Sequence, residues 1–426
     1  MSGISTHALP DIVMQHVEES ASLCASRQFL VAAPHVRLHA LHRHDERLAA
    51  HLDGVAVAGA LGWSLCEQAL DEGDASAAFV AAARAMEDGD ARRVDRVLAH
   101  VQAQPAMWPG VVRALGWVSA PSLREPVRAL ISSPEAVRRS WAIAACVAHR
   151  VDPGGALVAA MQEPDAALRA QGLRAAGQGG RLDLAGHCEA ALQEVNEDCR
   201  LAAATSLALL GHHAPAAAAL QVVAAEPGPR RADALRWLLR LQTPAQALAS
   251  LQPLSREAAD RRLLLRGTGI AGDPHFVPWL IDRMEEEPWA RLAGESFSMI
   301  TGLDLFGEGL HRSAPEGPGA GEDAHDDAVA LDEDEGLPWP QVDGVRAWWA
   351  ASVHRFAAGM RFFAGAPPTP AHCLRVLREG TQRRRIAASE WLCMLQPGTP
   401  VFNTAAPAWR QVRWLDAMGA ARQGGR

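Results

Sequence analysis

Five histidines crowd residues 35–51: His35, His39, His42, His44 and His51. Imidazole is a common zinc ligand, and positions 35, 39 and 42 share one face if a helix opens after Pro34. A three-histidine chelate is therefore one expectation. The competing reading is a half-exposed polar face beside Asp45 and Glu46. It is preferred here, because a metal needs a fixed second shell that the text does not supply. Further along, Asp332-Glu333-Asp334-Glu335-Gly336 is half of a calcium loop, but the distal glutamate is out of register. Tryptophans follow at once. Trp339, Trp348, Trp349, Trp391, Trp409 and Trp414 put six of the 13 tryptophans in the last 88 residues. Indoles are core residues first and interface anchors second. An acidic arm beside them makes Trp339, Trp348, Trp349, Asp332, Glu333, Asp334 and Glu335 the expected protein-binding surface. No phosphate-binding loop, dinucleotide fingerprint or nucleophile elbow occurs, so no catalytic, cofactor or metal residue is assigned.

The elements that must hold these residues are helical. Arg138, Arg169, Arg200, Arg231 and Arg262 recur every 31 residues. Four positions after the first four stand Ala142, Leu173, Ala204 and Leu235; seven after stand Ala145, Ala176, Leu207 and Leu238. Offsets of four and seven lie on one helix face, so each arginine opens an amphipathic helix. Breakers separate the copies: Pro153-Gly154-Gly155, Gly179-Gly180, Gly211 and Thr243-Pro244. Such a hairpin cannot bury its apolar face alone and must stack on its neighbours. The expected fold is all-α: a right-handed α-solenoid of HEAT-like hairpins with a period of about 31 residues. The five arginines are read as a structural ladder, pairing with acids such as Glu135, Asp165, Asp198 and Asp260 or with carbonyls of adjacent repeats. The expected organisation is a helical lead-in at 1–35, the solenoid at 36–310 and an acidic disordered insert at 311–336. A tryptophan-rich helical cap with a terminal hairpin then spans 337–426.

Charge narrows the partners. All 41 basic residues are arginine, and net charge is −8. Nine acids lie in 316–335; outside that stretch 40 acids face 41 arginines. A near-neutral body lacks the basic stripe that a phosphate backbone requires, so nucleic acid is disfavoured. No signal peptide and no apolar run of membrane-spanning length is legible, so no membrane insertion is expected. Seven cysteines without a CxxC pair fit a reducing cytoplasm.

Short repeats with a proline or acid, then arginine, then an alanine/leucine helix resemble those of the phycobilisome-lyase type. GIAGDPHFVPWLIDRMEEEPWARLAGESFSMITGLDL carries that pattern best. LHRHDERLAAHLDG, RLAGESFSMITGLDL, LPWPQVDGVRAWW and PGTPVFNTAAPAWRQ resemble, over nearly the whole chain, an uncharacterised bacterial HEAT-like family often associated with type VI secretion genes. That resemblance implies an accessory or adaptor protein whose partners are secretion-apparatus or effector proteins. The expectation is thus a non-enzymatic protein-interaction scaffold. The alternatives are a lyase-like or metal-binding HEAT-repeat enzyme and a DNA-binding HEAT-like protein. The di-iron hydroxylase version of this architecture uses His-Glu pairs, and the chain contains no His-Glu dipeptide.

Overall fold

The computed structural model describes residues 8–315 and 332–423. These form 22 α-helices joined by short 3-10 turns, plus one two-residue antiparallel pairing of His311–Arg312 with Trp339–Pro340. The acidic stretch 316–331 lies outside the described residues. No single helix is long and apolar enough to cross a membrane. The chain gathers into two units, one of residues 8–32, 36–210 and 397–423, the other of 33–35 and 211–396. The expected boundaries near 310 and 336 do not coincide with this division.

Local chemistry sets the helix ends. Asp74, Asp90, Asp165 and Asn196 each cap a helix by accepting from backbone N–H groups of the first turn. Thr243 and Gln246 form a reciprocal capping box. In the first unit, the Ala75–Glu87 helix is the centre. Ala78, Val80, Ala81 and Ala83 are completely buried. Small side chains allow a very close crossing, since a Cβ on Gly110 would sit 1.8 Å from the Ala75 carbonyl oxygen. The second unit is centred on Leu265, Val277, Phe297 and Leu377.

The arginines form a ladder with a defined grammar. Arg169 donates to the carbonyls of Glu163 and Pro164 at 2.5 and 3.1 Å and pairs with Glu194 at 3.0 Å. Arg200 donates to Glu194 and Val195 carbonyls at 2.8 and 2.7 Å. In the preceding helix, Ala136–Ala148, it is Arg139 that repeats this pattern, reaching the Ser133 and Pro134 carbonyls and Glu163. Arg138 instead pairs with Glu135 and donates to Gln102 at 2.7 Å. Arg139 and Arg169 thus fasten the loop before their own helix to an acid 24 and 25 residues onward. Of the expected partners, Glu135 and Asp260 do pair, the latter with Arg231 at 2.7 Å. Asp165 serves as a helix cap. Arg262 goes to Glu333 and Asp334.

Two irregular segments complete the units. In the first, residues 398–411 run across helix C-termini. Val401 N–H donates to the Gln178 carbonyl at 2.8 Å, and Asn403 Nδ2 to that of Ala148 at 3.1 Å. In the second, residues 361–365 do the same. Phe362 N–H donates to Gly272, and Ala364 and Gly365 to Met299 and Ile300. Gly272 (φ 71°) and Gly302 (φ 77°) end their helices in the left-handed conformation. A Cβ on either would meet the strap at 2.2 Å (Phe362 carbonyl oxygen) or 2.6 Å (Ala364 carbonyl oxygen). The last carbonyls of a helix lack intrahelical partners, and these straps satisfy them.

Candidate functional site

The first unit carries a groove where the 398–411 strap and the Ala408–Gln423 helix meet the repeats. Asp45 positions them. It is completely buried and accepts from Ala408 N–H at 2.8 Å, at the start of that helix, and from Arg27 at 2.7 and 3.2 Å. Arg27 also donates to the Ala405 and Ala406 carbonyls at 3.0 and 3.1 Å. Arg410, likewise buried, donates to the carbonyls of Gly116, Trp117 and Val118 at 2.8, 2.8 and 3.1 Å. It thereby closes the C-terminus of the Trp108–Trp117 helix, where cations are favoured. Burial, then Arg413 and Arg27, brings its pKa down to about 10. It stays charged at neutral pH.

Three cavities adjoin along this face, of about 450, 390 and 270 Å³. The first shares Ala120, Pro121 and His149 with the second and Trp117 with the third. Trp117 stands edge-on to Trp409 at 5.1 Å, and Trp414 edge-on to Phe402 at 5.8 Å. Arg150 lies over Trp414 at 5.5 Å. Val112 and Val151 line the same groove and are exposed. His149 Nε2 donates to the Leu115 carbonyl at 2.8 Å. Burial, then Arg410, depresses its pKa, so the ring is neutral at pH 7. Glu87 is held by Arg84 at 3.2 Å. Arg413, also lining the groove, is exposed and makes no ion pair among the described residues. Among the described residues, the groove therefore offers indole faces and exposed guanidiniums, Arg413 and Arg124, that make no ion pair.

The expected protein-binding residues lie together in the second unit, largely engaged. Asp334 is buried and takes both Arg262 nitrogens at 2.9 and 2.6 Å. Glu333 meets Arg262 and Arg266, and Asp332 meets Arg291 at 2.6 Å. Glu335 is exposed. Trp339 sits between the guanidiniums of Arg291 and Arg312, 5.0 and 5.3 Å from its ring. Trp348 packs edge-on against buried Phe297, and Trp349 against Phe356. All three are half-buried. The acids at 332–334 are thus fasteners of the arginine ladder.

The histidines do not share a helix face. The helix opens at Leu38, with Arg37 extended at its cap, so His35 precedes it. His44 Nε2 donates to the Leu23 carbonyl, His51 meets His16 at 3.1 Å, and His42 faces Glu46 at 3.7 Å. Among the described residues, no three His, Cys, Asp or Glu side chains gather as a metal-ligand set. None of the seven cysteines is in a disulfide, and all are buried. Burial pushes the Cys24 thiol up to about 11, and those of Cys66 and Cys188 up to about 12. They are poor nucleophiles.

Sequence reading missed Asp45, Arg410 and Arg361, the residues that fasten the straps. PGTPVFNTAAPAWRQ, one of the motifs that carry the family resemblance, spans one strap and runs into the helix that holds Arg410. No family model matches the chain, and no curated protein matches it. The family resemblance rests on the motifs themselves.

Proposed function

We propose that this chain is a protein-binding scaffold of HEAT-like hairpins arranged as a right-handed solenoid. Its first-unit groove would hold a partner segment that combines apolar and acidic residues. One observation carries the reading: Arg413, with no ion pair among the described residues, stands beside three tryptophans in a groove walled by exposed valines. Aromatic and arginine side chains are the usual anchors of protein interfaces. An acidic side chain would pair with Arg413 while apolar side chains lay against Trp409 and Trp414. The resemblance to a type VI-associated family makes secretion-apparatus or effector proteins the partners to try first. The test is a peptide array tiled from such proteins, probed with the purified chain. Acidic, apolar peptides should bind wild type and lose binding to Arg413→Glu. Binding indifferent to that substitution would refute the groove as the site.

A further inference from the structure

A further cavity, of about 550 Å³, lies in the second unit, apart from the groove of the first. Its origin is local. The Pro244–Leu251 helix has only eight residues, and the chain continues through two 3-10 turns, Gln252–Arg256 and Ala258–Asp260. A shortened helix leaves a gap against the next hairpin, and the gap is lined by apolar groups. Leu251, Leu264 and Phe276 are buried in its wall, Trp279 is half-buried, and Leu248 stands exposed at the rim. Its volume falls in the range of small-molecule sites, which combine apolar walls with a few placed polar groups.

Among the polar lining residues Gln252, Ser255, Thr268, His275, Arg261 and Arg283, the permanent charges are the two guanidiniums. Arg283 lies over the Trp279 ring at 6.0 Å and pairs with Glu286 through one terminal nitrogen. Arg261, also in the lining, is 3.6 Å from the same Glu286. Two guanidiniums therefore share one carboxylate. A ligand carboxylate against their remaining donors would gain charge-assisted bonds.

We propose that this cavity binds a small apolar carboxylate, a free organic acid with an aliphatic or aromatic body. The carboxylate accepts from Arg283 and Arg261, and the body lies among Leu251, Leu264, Phe276 and Trp279. The proposal is independent of the groove in the first unit.

The test is calorimetric titration of the full chain with decanoate and, separately, decanol, each below micelle formation. Decanoate should bind saturably at one site per chain, with decanol about tenfold or more weaker. Arg283→Met should weaken decanoate about tenfold and leave decanol unchanged. Leu248→Trp, at an exposed rim position, should block both. Arg413→Glu should change neither. Absence of saturable binding, equal affinity for acid and alcohol, or decanoate binding unaffected by Arg283→Met and Leu248→Trp would each overturn the proposal.

Discussion

The two units solve one problem with the same device and different completeness. Each lays an irregular strap over helix C-termini and drives a buried arginine into the carbonyls. In the second unit Arg361 donates to Leu239, Arg240, Gln242 and Ala271, and its guanidinium also lies 5.4 Å over Trp391. Burial, then Arg240, lowers its pKa to about 10. Close by in the same unit, Arg240 and Arg236 both hold Glu390. In the first unit Arg410 has three carbonyls and a neighbour, Arg413, with no ion pair among the described residues. The second strap closes a core. The first leaves positive charge and indole surface facing an open groove. The same structural part thus closes a core in one place and borders an open groove, the proposed binding surface, in the other.

That contrast can be broken in order of expected effect. Replacing Glu390 by Gln leaves buried Arg240 uncompensated and Arg236 with Asp233 alone, and should destabilise the second unit by about 3–5 kcal/mol, read by urea denaturation. Wild-type stability should show the matching pH dependence. Burial opposes the Glu390 charge, yet Arg236 and Arg240 hold its carboxyl below the usual range. Its contribution is present above the ordinary value of 4.5 and is lost as pH falls through the lower folded value. Glu295 works in the opposite sense. Burial raises its pKa despite Arg383, so its contribution weakens as pH rises from 4.5. Acid denaturation curves of Glu390→Gln should lose the steep limb below pH 4.5; retention of that limb would contradict the assignment.

Arg361→Met should cost about 3 kcal/mol, from several carbonyls left without a donor. Arg410→Met should cost less, about 1–2 kcal/mol, because it frees fewer carbonyls and relieves repulsion with Arg413. Equal losses in paired denaturation curves would erase the difference between the straps. Arg413→Glu should leave stability within about 0.5 kcal/mol while removing partner binding. Arg139→Ala should cost about 1 kcal/mol more than Arg138→Ala, since only Arg139 joins two carbonyls to the next hairpin.

Much of this architecture was legible in the sequence, for a physical reason. Helix faces and breakers are local, so the amphipathic copies and their turns could be read by counting. The arginine column pointed to the right kind of contact, carbonyls plus acids. It mistook one rung, because Arg138 and Arg139 are the same residue type and only the loop geometry before them decides which reaches back. The histidine face failed at Arg37, whose extended backbone delays the helix past His35. The acids 332–334 read as a free arm because their arginine partners lie 41 to 72 residues away. The straps were beyond reach for the same reason. Arg410 meets its carbonyls across 292 to 294 residues, and nothing periodic marks such a contact.

The most direct test of the central claim is a photo-crosslinking amino acid placed at Val412 in the native cells, with a second placed at Val195. Val412 is exposed on the helix that carries Trp409, Arg413 and Trp414; Val195 is exposed in a loop of the arginine ladder. The account predicts one reproducible protein adduct from position 412, with the crosslinked peptide acidic and apolar, lost on Arg413→Glu and not seen from position 195. Adducts that are the same from both positions, or none from 412 while the partner still co-purifies, would contradict it.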